Sequence, residues 1–542
     1  MGIGRRPRPG DVFPFASGRK PCGHPAPLWL DKKLRRAALR YPFPMRLKLS
    51  DVRAELPPLL HLAIPLIAGE LGWVSMSLVD TVMLGHLPNP ALAMSAAALA
   101  QVPFNVACFG LGGILLGLDT LISQALGARR QHEANRWLFH GILMAVALSA
   151  LLTVLFVLTP LLMMRLPVDR AILVQAAPAL QGLNYGTLPL LLYFTLRRYL
   201  QAQHHGRPIA FALVSANLVN AVGDWALIFG HQFRLGILTL RIPAYGVTGS
   251  SWATSFARLY LMLVLLIALW SGERKHQYGL RDSLRGRNAD AQAATGRLAG
   301  RSGTPGRDKD GLRVNRRASL GWFQLSHLRQ LFLLGAPAGA SILAEIGIFA
   351  LVTSLIATFG PLPLAGHEVA LQCASTTFMV PFAISAATSV RVGHAIGRMR
   401  IGAARAGNVL AAGWSGIGSG ALFMLCASVL LLTFPSRIAH LFTPNPEVVS
   451  AAVPLLLIAA GFQFFDGVQT TATGALRGVG NTRTPFLIQL LGYWGIGMPL
   501  GILLGFHEKL GAAGLWWGLL IALSSAAILL CLVWRHSTRA LS

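Results

Sequence analysis

A run of 18 or more predominantly apolar residues recurs twelve times along this chain, near 59–85, 95–118, 137–163, 171–195, 209–229, 247–270, 331–358, 367–390, 407–433, 447–471, 484–505 and 512–534. Each run is long enough to cross about 30 Å of hydrocarbon as a helix. Lipid offers no water to exposed peptide groups, so such runs must hydrogen-bond within themselves. The expected fold is an all-α polytopic membrane protein with twelve transmembrane helices. A membrane barrel is excluded, because its strands would be about ten residues long and alternate in polarity. A mean hydropathy of +0.56 and a charged fraction of 12% agree with this reading, since soluble domains carry about 25% charged residues.

The net charge of +27 would suggest nucleic acid if it were spread along the chain, and it is not. Residues 1–53 hold thirteen Lys or Arg and residues 271–329 hold thirteen more. Both stretches are polar and fall outside the apolar runs. With both termini placed in the cytoplasm, fourteen of the remaining basic residues fall in inner loops or at the C-terminus, among them Arg129, Arg130, Arg197, Arg198, Arg391 and Arg477, against six in outer loops. That bias is the one that orients membrane proteins. The expectation is a multi-pass protein of the cell (inner or plasma) membrane, a monomer, with anionic lipid rather than nucleic acid as its charged partner. The five cysteines, Cys22, Cys108, Cys373, Cys426 and Cys531, have no paired spacing, so neither a disulfide framework nor a metal knuckle is implied, and no cofactor is expected. The first 50 residues lack the apolar core of a signal peptide, and Met45 is a candidate start.

The two halves resemble each other across the hydrophilic 271–329 stretch. HLAIPLIAGELG at 61–72 parallels LLGAPAGASILAEIG at 333–347, SQALGARR at 123–130 parallels GHAIGRMR at 393–400, and YLQAQHHGRP at 199–208 parallels ALRGVGNTRTP at 475–485. Six spans per half is an even number, so the repeats share an orientation, and a pseudo-twofold axis along the membrane normal relates two six-helix bundles. The domain plan is a basic, disordered tail at 1–54, an N-lobe at 55–270, a cytoplasmic linker at 271–329, a C-lobe at 330–535 and a short tail at 536–542. Two bundles around a central cavity can rock against each other, which is an architecture for alternating access.

Seven carboxylates lie in or beside these apolar runs: Glu70, Asp80, Asp119, Asp224, Glu345, Glu368 and Asp466. An ionised Asp at a helix centre costs roughly 2.5–3.5 kcal/mol on insertion scales, so such residues persist mainly where they bind, pair or carry protons. At 1.5 Å per residue, Asp80 and Asp224 lie about 8–9 Å below the outer ends of the first and fifth runs. Asn220 is one turn below Asp224 on the same face. Two carboxyl groups sharing an apolar cavity disfavour each other's ionised form, so a held proton is expected, with Na⁺ as the competing occupant. In the second half, Glu345 counts to the midplane. Asp466 counts nearer the inner side, unless Gly461 and Gly467 let the tenth span bend.

These residues sit in five motifs: SLVDTVMLGHL at 77–87, LDTLISQALGA at 118–128, NAVGDWALIFG at 220–230, HEVALQCASTTFMVPFAISAATSVRVGHAIG at 367–397 and FDGVQTTATGALRGVGNTRTP at 465–485. In this order the chain resembles the multidrug and toxic compound extrusion (MATE) family over 55–535, in its NorM-like branch. The resemblance implies an H⁺- or Na⁺-coupled antiporter that exports organic, mostly cationic amphipathic compounds. It implies an N-lobe cation site at Asp80, Asn220 and Asp224 and a C-lobe site at Glu345 and Asp466. Some members carry Tyr one turn before the tenth-helix aspartate where this chain has Phe462, which weakens the case for Na⁺ there.

Glu70, Trp73 and Phe462 are candidate substrate contacts. Glu70 is expected to line the cavity or pair with Arg258, and Asp119 to cap a helix or pair with Arg129 or Arg130. Glu368 suits a helix N-terminus near the outer surface. Trp252, Trp494, Trp516 and Trp517 read as interface anchors. His204 and His205 lack metal-ligand spacing. A lipid-linked sugar flippase of the wider superfamily is the alternative function. It would need a cationic cavity for pyrophosphate, whereas the cavity residues anticipated here are mainly acidic. A membrane acyltransferase would need a Ser–His–Asp or His–Asp cluster at an interface, and none is evident. The chain has no Walker A sequence, so ATP-driven pumping is unsupported.

Overall fold

A computed structural model describes residues 49–165, 169–235, 238–276, 278–280, 283 and 323–539. Most of the expected N-terminal tail and most of the central linker lie outside the described residues. Among the described residues, eleven helices are long and apolar enough to cross a membrane. They are α1 (Leu49–Leu84), α2 (Pro90–Gly127), α3 (Gln131–Met163), α6 (Gly206–Phe229), α7 (Gly246–His276), α8 (Leu325–Ala357), α9 (Pro361–Arg400), α10 (Ala406–Thr433), α12 (Pro446–Val479), α13 (Arg483–His507) and α14 (Gly511–Arg539). The remaining expected span is a broken pair, α4 (Arg170–Asn184) and α5 (Thr187–Ala202), and a short helix α11 (Pro435–His440) precedes α12. The helices outrun the apolar runs at several ends. The polar segment Ser271–His276 continues α7, and α8 begins at Leu325, ahead of the hydrophobic run it carries.

Local chemistry sets the helix ends. Asp169 and Asn445 accept the backbone N–H groups of Ala171 and Glu447 at 2.9 Å each, satisfying donors that a helix start leaves orphaned. Pro446 then occupies the first turn of α12, where its missing N–H costs nothing. Gly480 ends α12 in the left-handed conformation at φ +95°, returning its N–H to the last turn. The break between α4 and α5 turns backbone carbonyls toward α7, with Leu183 also accepting the Gly186 N–H at 3.0 Å. Ser255 Oγ donates to Gly182 at 2.7 Å and Arg258 Nη1 to Leu183 at 3.4 Å, which is how lipid-buried backbone tolerates interruption. One element departs from the all-helical expectation. A small antiparallel hairpin, β1 (His231–Leu235) with β2 (Leu238–Ile242), joins α6 to α7.

Packing repeats between the halves. In the N-lobe α1 packs on α6, α2 on α4, α4 on α7, and α6 on α7. In the C-lobe α8 packs on α13, α9 on α12, α12 on α14, and α13 on α14. The same partners recur six spans later, as two bundles related by a pseudo-twofold axis require.

The lobes meet along a seam that runs from the Gly127–His394 approach near the ends of α2 and α9 to the Gly110–Leu343 approach midway along α2 and α8. Gly113, in a 3₁₀ turn inside α2, lies so close to α8 that a Cβ built on it would stand 2.5 Å from Gly339 Cα. Such close approach of small residues is how helices associate in lipid. Across the seam Gln124 Nε2 donates to the Gly478 carbonyl at 2.9 Å, and Thr120 Oγ1 donates to the Arg477 carbonyl at 2.5 Å. Glu55 of α1 pairs with Arg391 of α9 at 2.5 Å.

Candidate functional site

The N-lobe carboxylates come together as their depth predicted. Asn220 donates one amide hydrogen to Asp80 Oδ1 at 2.5 Å and the other to Asp224 Oδ2 at 2.9 Å. The three residues are 4%, 0% and 0% exposed for Asp80, Asn220 and Asp224. The bridge follows from spacing: Asn220 and Asp224 are one helical turn apart on α6, and α6 packs along α1. One amide nitrogen thus holds the two carboxyl groups side by side, and two carboxyl groups can bond each other only when one carries a proton. Thr254 Oγ1 of α7 donates to Asp80 Oδ2 at 3.3 Å. Sequence reading missed Thr254, since a lone Thr in an apolar run carries no signal. Asp224 Oδ1 and Asn220 Oδ1 are buried without a hydrogen-bond partner, so the cluster retains acceptor capacity.

In the C-lobe, Glu345 and Asp466 face one another closely enough to interact electrostatically. Simple counting placed Asp466 near the inner end of its span. It is not there, because α12 continues to Val479, eight residues beyond the expected end. Thr470 Oγ1 lies 3.5 Å from Asp466 Oδ1. Nearby, Tyr493 accepts a hydrogen bond from Gln469 within a π-helical stretch of α13, a local distortion that often accompanies functional sites.

Between the lobes lies a cavity of about 590 Å³, the size of a pocket for a drug-sized molecule. Glu70, Trp73, Glu345, Phe462 and Asp466 line it, so all three candidate substrate contacts and both C-lobe acids face one space. Much of the rest is aromatic, including Phe109, Phe194, Phe378 and Phe382. Trp73 stands edge-on to Phe109, and Phe349 edge-on to Phe462. The N-lobe triad is absent from this lining and sits inside its own bundle. Helix α1 carries both Trp73 in the cavity wall and Asp80 in the triad.

Several expectations are corrected. Glu70 pairs with Arg197 of α5, not Arg258; Arg258 is occupied at the α4–α5 break and stacks over Phe104 at 4.3 Å. Asp119, fully buried, pairs with Arg198 at 3.2 Å and approaches Arg477 at 3.9 Å, not Arg129 or Arg130. Arg197, Arg198, Arg391 and Arg477 are helical residues rather than loop residues. Counting to apolar boundaries misplaced them, because paired arginines extend the helices past the hydrophobic runs. Arg197, Arg198 and Arg477 also line the cavity, so its charge is mixed rather than mainly acidic. Trp516 is no interface anchor. It is fully buried and donates to His367 Nδ1 at 3.1 Å, while the other ring nitrogen of His367 meets Thr353 Oγ1 at 2.8 Å. Glu368 is exposed in the second turn of α9. Among the described residues no group of three or more His, Cys, Asp or Glu could hold a metal ion.

Two six-helix bundles enclosing a cavity, with carboxyl clusters buried in apolar helices, define a membrane transporter rather than an enzyme. The MatE family model matches residues 65–226 and 337–503, one match per bundle, and the chain belongs to that family. It is 32% identical over 488 residues, 89% of this chain and 92% of the relative, to a probable multidrug resistance protein NorM from Xylella fastidiosa (strain 9a5c). It is 30% identical over 496 residues, 90% of this chain and 93% of the relative, to multidrug resistance protein PmpM from Pseudomonas aeruginosa. A solved structure described as the outward-facing conformation of a multidrug resistance MATE family transporter has the same fold. Its TM-score is 0.72 at 17% identity, covering 92% of this chain and 99% of that one.

Proposed function

We propose that this protein exports amphipathic organic cations in exchange for protons, with the central cavity as the cargo site and Asp80, Asn220 and Asp224 as the proton site. The observation that carries this reading is the bridge from one Asn220 amide nitrogen to two buried carboxyl groups, Asp80 and Asp224. An amide holding two carboxyls in register leaves them one shared proton to gain or lose. The relatives named for multidrug resistance support export as the direction of transport.

Alternating access follows from the seam. With both termini in the cytoplasm of a cell-membrane protein, the closed end faces inward and the cavity faces outward. Protonation at the triad repacks α1 against α6 and alters the cavity wall that α1 shares through Glu70 and Trp73, releasing cargo. Deprotonation after the seam opens inward resets the cycle. Glu345 and Asp466 supply the negative wall that holds a cationic cargo. Exchange of one proton for one monovalent cation moves no net charge, so the pH gradient drives it, each pH unit being worth about 1.4 kcal/mol or a tenfold cargo gradient.

The test is proton counting on purified full-length protein in weakly buffered detergent solution. Adding a lipophilic fluorescent cation should release protons from the wild-type protein and none from Asp80→Asn, while the cation still binds both. Proton release that survives Asp80→Asn would remove the triad from the coupling step. Release only when Na⁺ is added would move coupling to Glu345 and Asp466.

A further inference from the structure

Arg258 places a guanidinium inside an apolar stretch of α7, 4% exposed. Among the described residues, Arg197 and Arg198 are buried as deeply and each pairs with a carboxylate, while Arg258 has none at salt-bridge distance. Its contacts hold the side chain without neutralising it. Nη1 donates to the Leu183 carbonyl at 3.4 Å, the guanidinium lies over the Phe104 ring at 4.3 Å, and Nε has no hydrogen-bond partner. Gly186, at the α4–α5 break, makes room for the shank, since a Cβ there would stand 3.0 Å from Arg258 Cδ. An ionisable side chain kept this deep in a membrane bundle points to a function.

Its position says which. Thr254, whose hydroxyl donates to Asp80 Oδ2 at 3.3 Å, lies four residues before Arg258 on α7. The guanidinium is therefore one turn from the residue that touches the Asp80 carboxyl, on the same helix face. Arg258 and Asp80 are close enough to interact electrostatically. The other titratable groups facing them are Asp224 from α6 and Cys108 from α2, whereas α4 and α5 present Gly182, Leu183 and Gly186 and bring no charge. With Arg258 in place, the emptied carboxyl pair leaves the bundle with one net negative charge, and one shared proton leaves it with none. Without Arg258 the emptied pair would put two uncompensated negative charges among apolar helices, which desolvation and mutual repulsion both oppose.

We propose that Arg258 is the fixed counter-charge of the proton site: it lets the Asp80–Asp224 pair give up its shared proton to water, and so sets the pH at which exchange runs. This rests on the reading of Asp80, Asn220 and Asp224 as the proton site. Arg258 does not line the cavity and acts through Asp80 as a positioning residue, by charge rather than by contact with cargo.

The experiment is an infrared pH titration of the purified full chain in detergent, following the carbonyl stretch of the protonated carboxyl that Asp80→Asn removes. Arg258→Met, apolar like its surroundings and losing no ion pair, should hold that proton to a pH about one unit higher or more, the effect of one neighbouring charge. Arg258→Gln, a second neutral variant, should shift the midpoint the same way, and Arg258→Lys, which keeps the charge, should titrate close to wild type. The pH profile of ethidium transport in liposomes should move with the midpoint. A midpoint unchanged in either neutral variant overturns the proposal. So does slower transport at every pH without a shift, which would make Arg258 a brace for the α4–α5 break. If Asp80→Asn removes no such carbonyl band, the proton site itself fails and the role of Arg258 falls with it.

Discussion

Asp119 of the N-lobe and Arg477 of the C-lobe stand 3.9 Å apart across the seam, both within helices and both at most 6% exposed. With Arg198 at the same carboxylate oxygen, Asp119 is shared between two guanidiniums from opposite lobes. Removing a partner from a buried ion pair strands the remaining charges, at a cost of about 3–5 kcal/mol. Asp119→Asn should therefore lower thermal stability in detergent sharply. Glu133→Gln, which breaks the exposed Arg130–Glu133 pair, should cost under about 1 kcal/mol. Equal shifts in the two melting curves would show that Asp119 is solvated rather than buried at the seam.

Contact between Gly113 and Gly339 makes seam closure sensitive to one methyl group. Gly113→Val places branched carbon where the backbone of α8 already lies, so the lobes should separate at that end. Spin labels on the exposed Arg130 and Arg405 positions would report a longer mean distance in Gly113→Val than in the parent. An unchanged distance distribution would mean that the seam relaxes locally without moving the lobes.

His204, in the turn between α5 and α6, stacks on His394 of α9 at 4.6 Å across the seam. Desolvation against its neighbours, then the charges of Arg391 and Arg398, push its imidazole down to about 4 from 6.5. Between those values the unfolded chain binds a proton that the folded protein excludes, so stability rises with pH there. It is fully present above pH 6.5 and declines as pH falls toward 4. His204→Gln should flatten that part of the stability–pH curve, measured by melting in a pH series. A curve of unchanged slope would assign the acid sensitivity to other groups.

Much of this arrangement was legible in the sequence, for identifiable reasons. Apolar run length marked the spans, because lipid leaves a helix little choice. Asp80 and Asp224 could be paired from the sequence because both sit within five residues of helix ends that coincide with the apolar boundary. Asp466 was misplaced because α12 runs eight residues past that boundary, through a stretch of small residues with Arg477. The Arg197, Arg198 and Arg477 cluster was missed because partnered arginines look like loop charge to any count by sign. Its clue was available: Arg477 shares the helical stripe of Asp466. The α4–α5 break left no trace that hydropathy could register, since Asn184–Gly186 lies within a span whose flanks are apolar.

Asn220 makes the sharpest prediction about coupling. Asn220→Ala removes both bridging hydrogen bonds, each to a carboxyl group and each worth about 1.5–3 kcal/mol where the acceptor is charged. Proton-driven export should drop at least about tenfold, with cargo affinity unchanged because Asn220 does not line the cavity. Loss of affinity in step with transport would place Asn220 in the cargo site.

The most direct measurement is transport in liposomes carrying the purified protein, with a pH gradient imposed in Na⁺-free medium and a fluorescent organic cation followed in time. The account predicts gradient-driven movement that Asp80→Asn abolishes. Movement that is indifferent to the pH gradient and to Asp80→Asn, yet follows an imposed Na⁺ gradient, would contradict it.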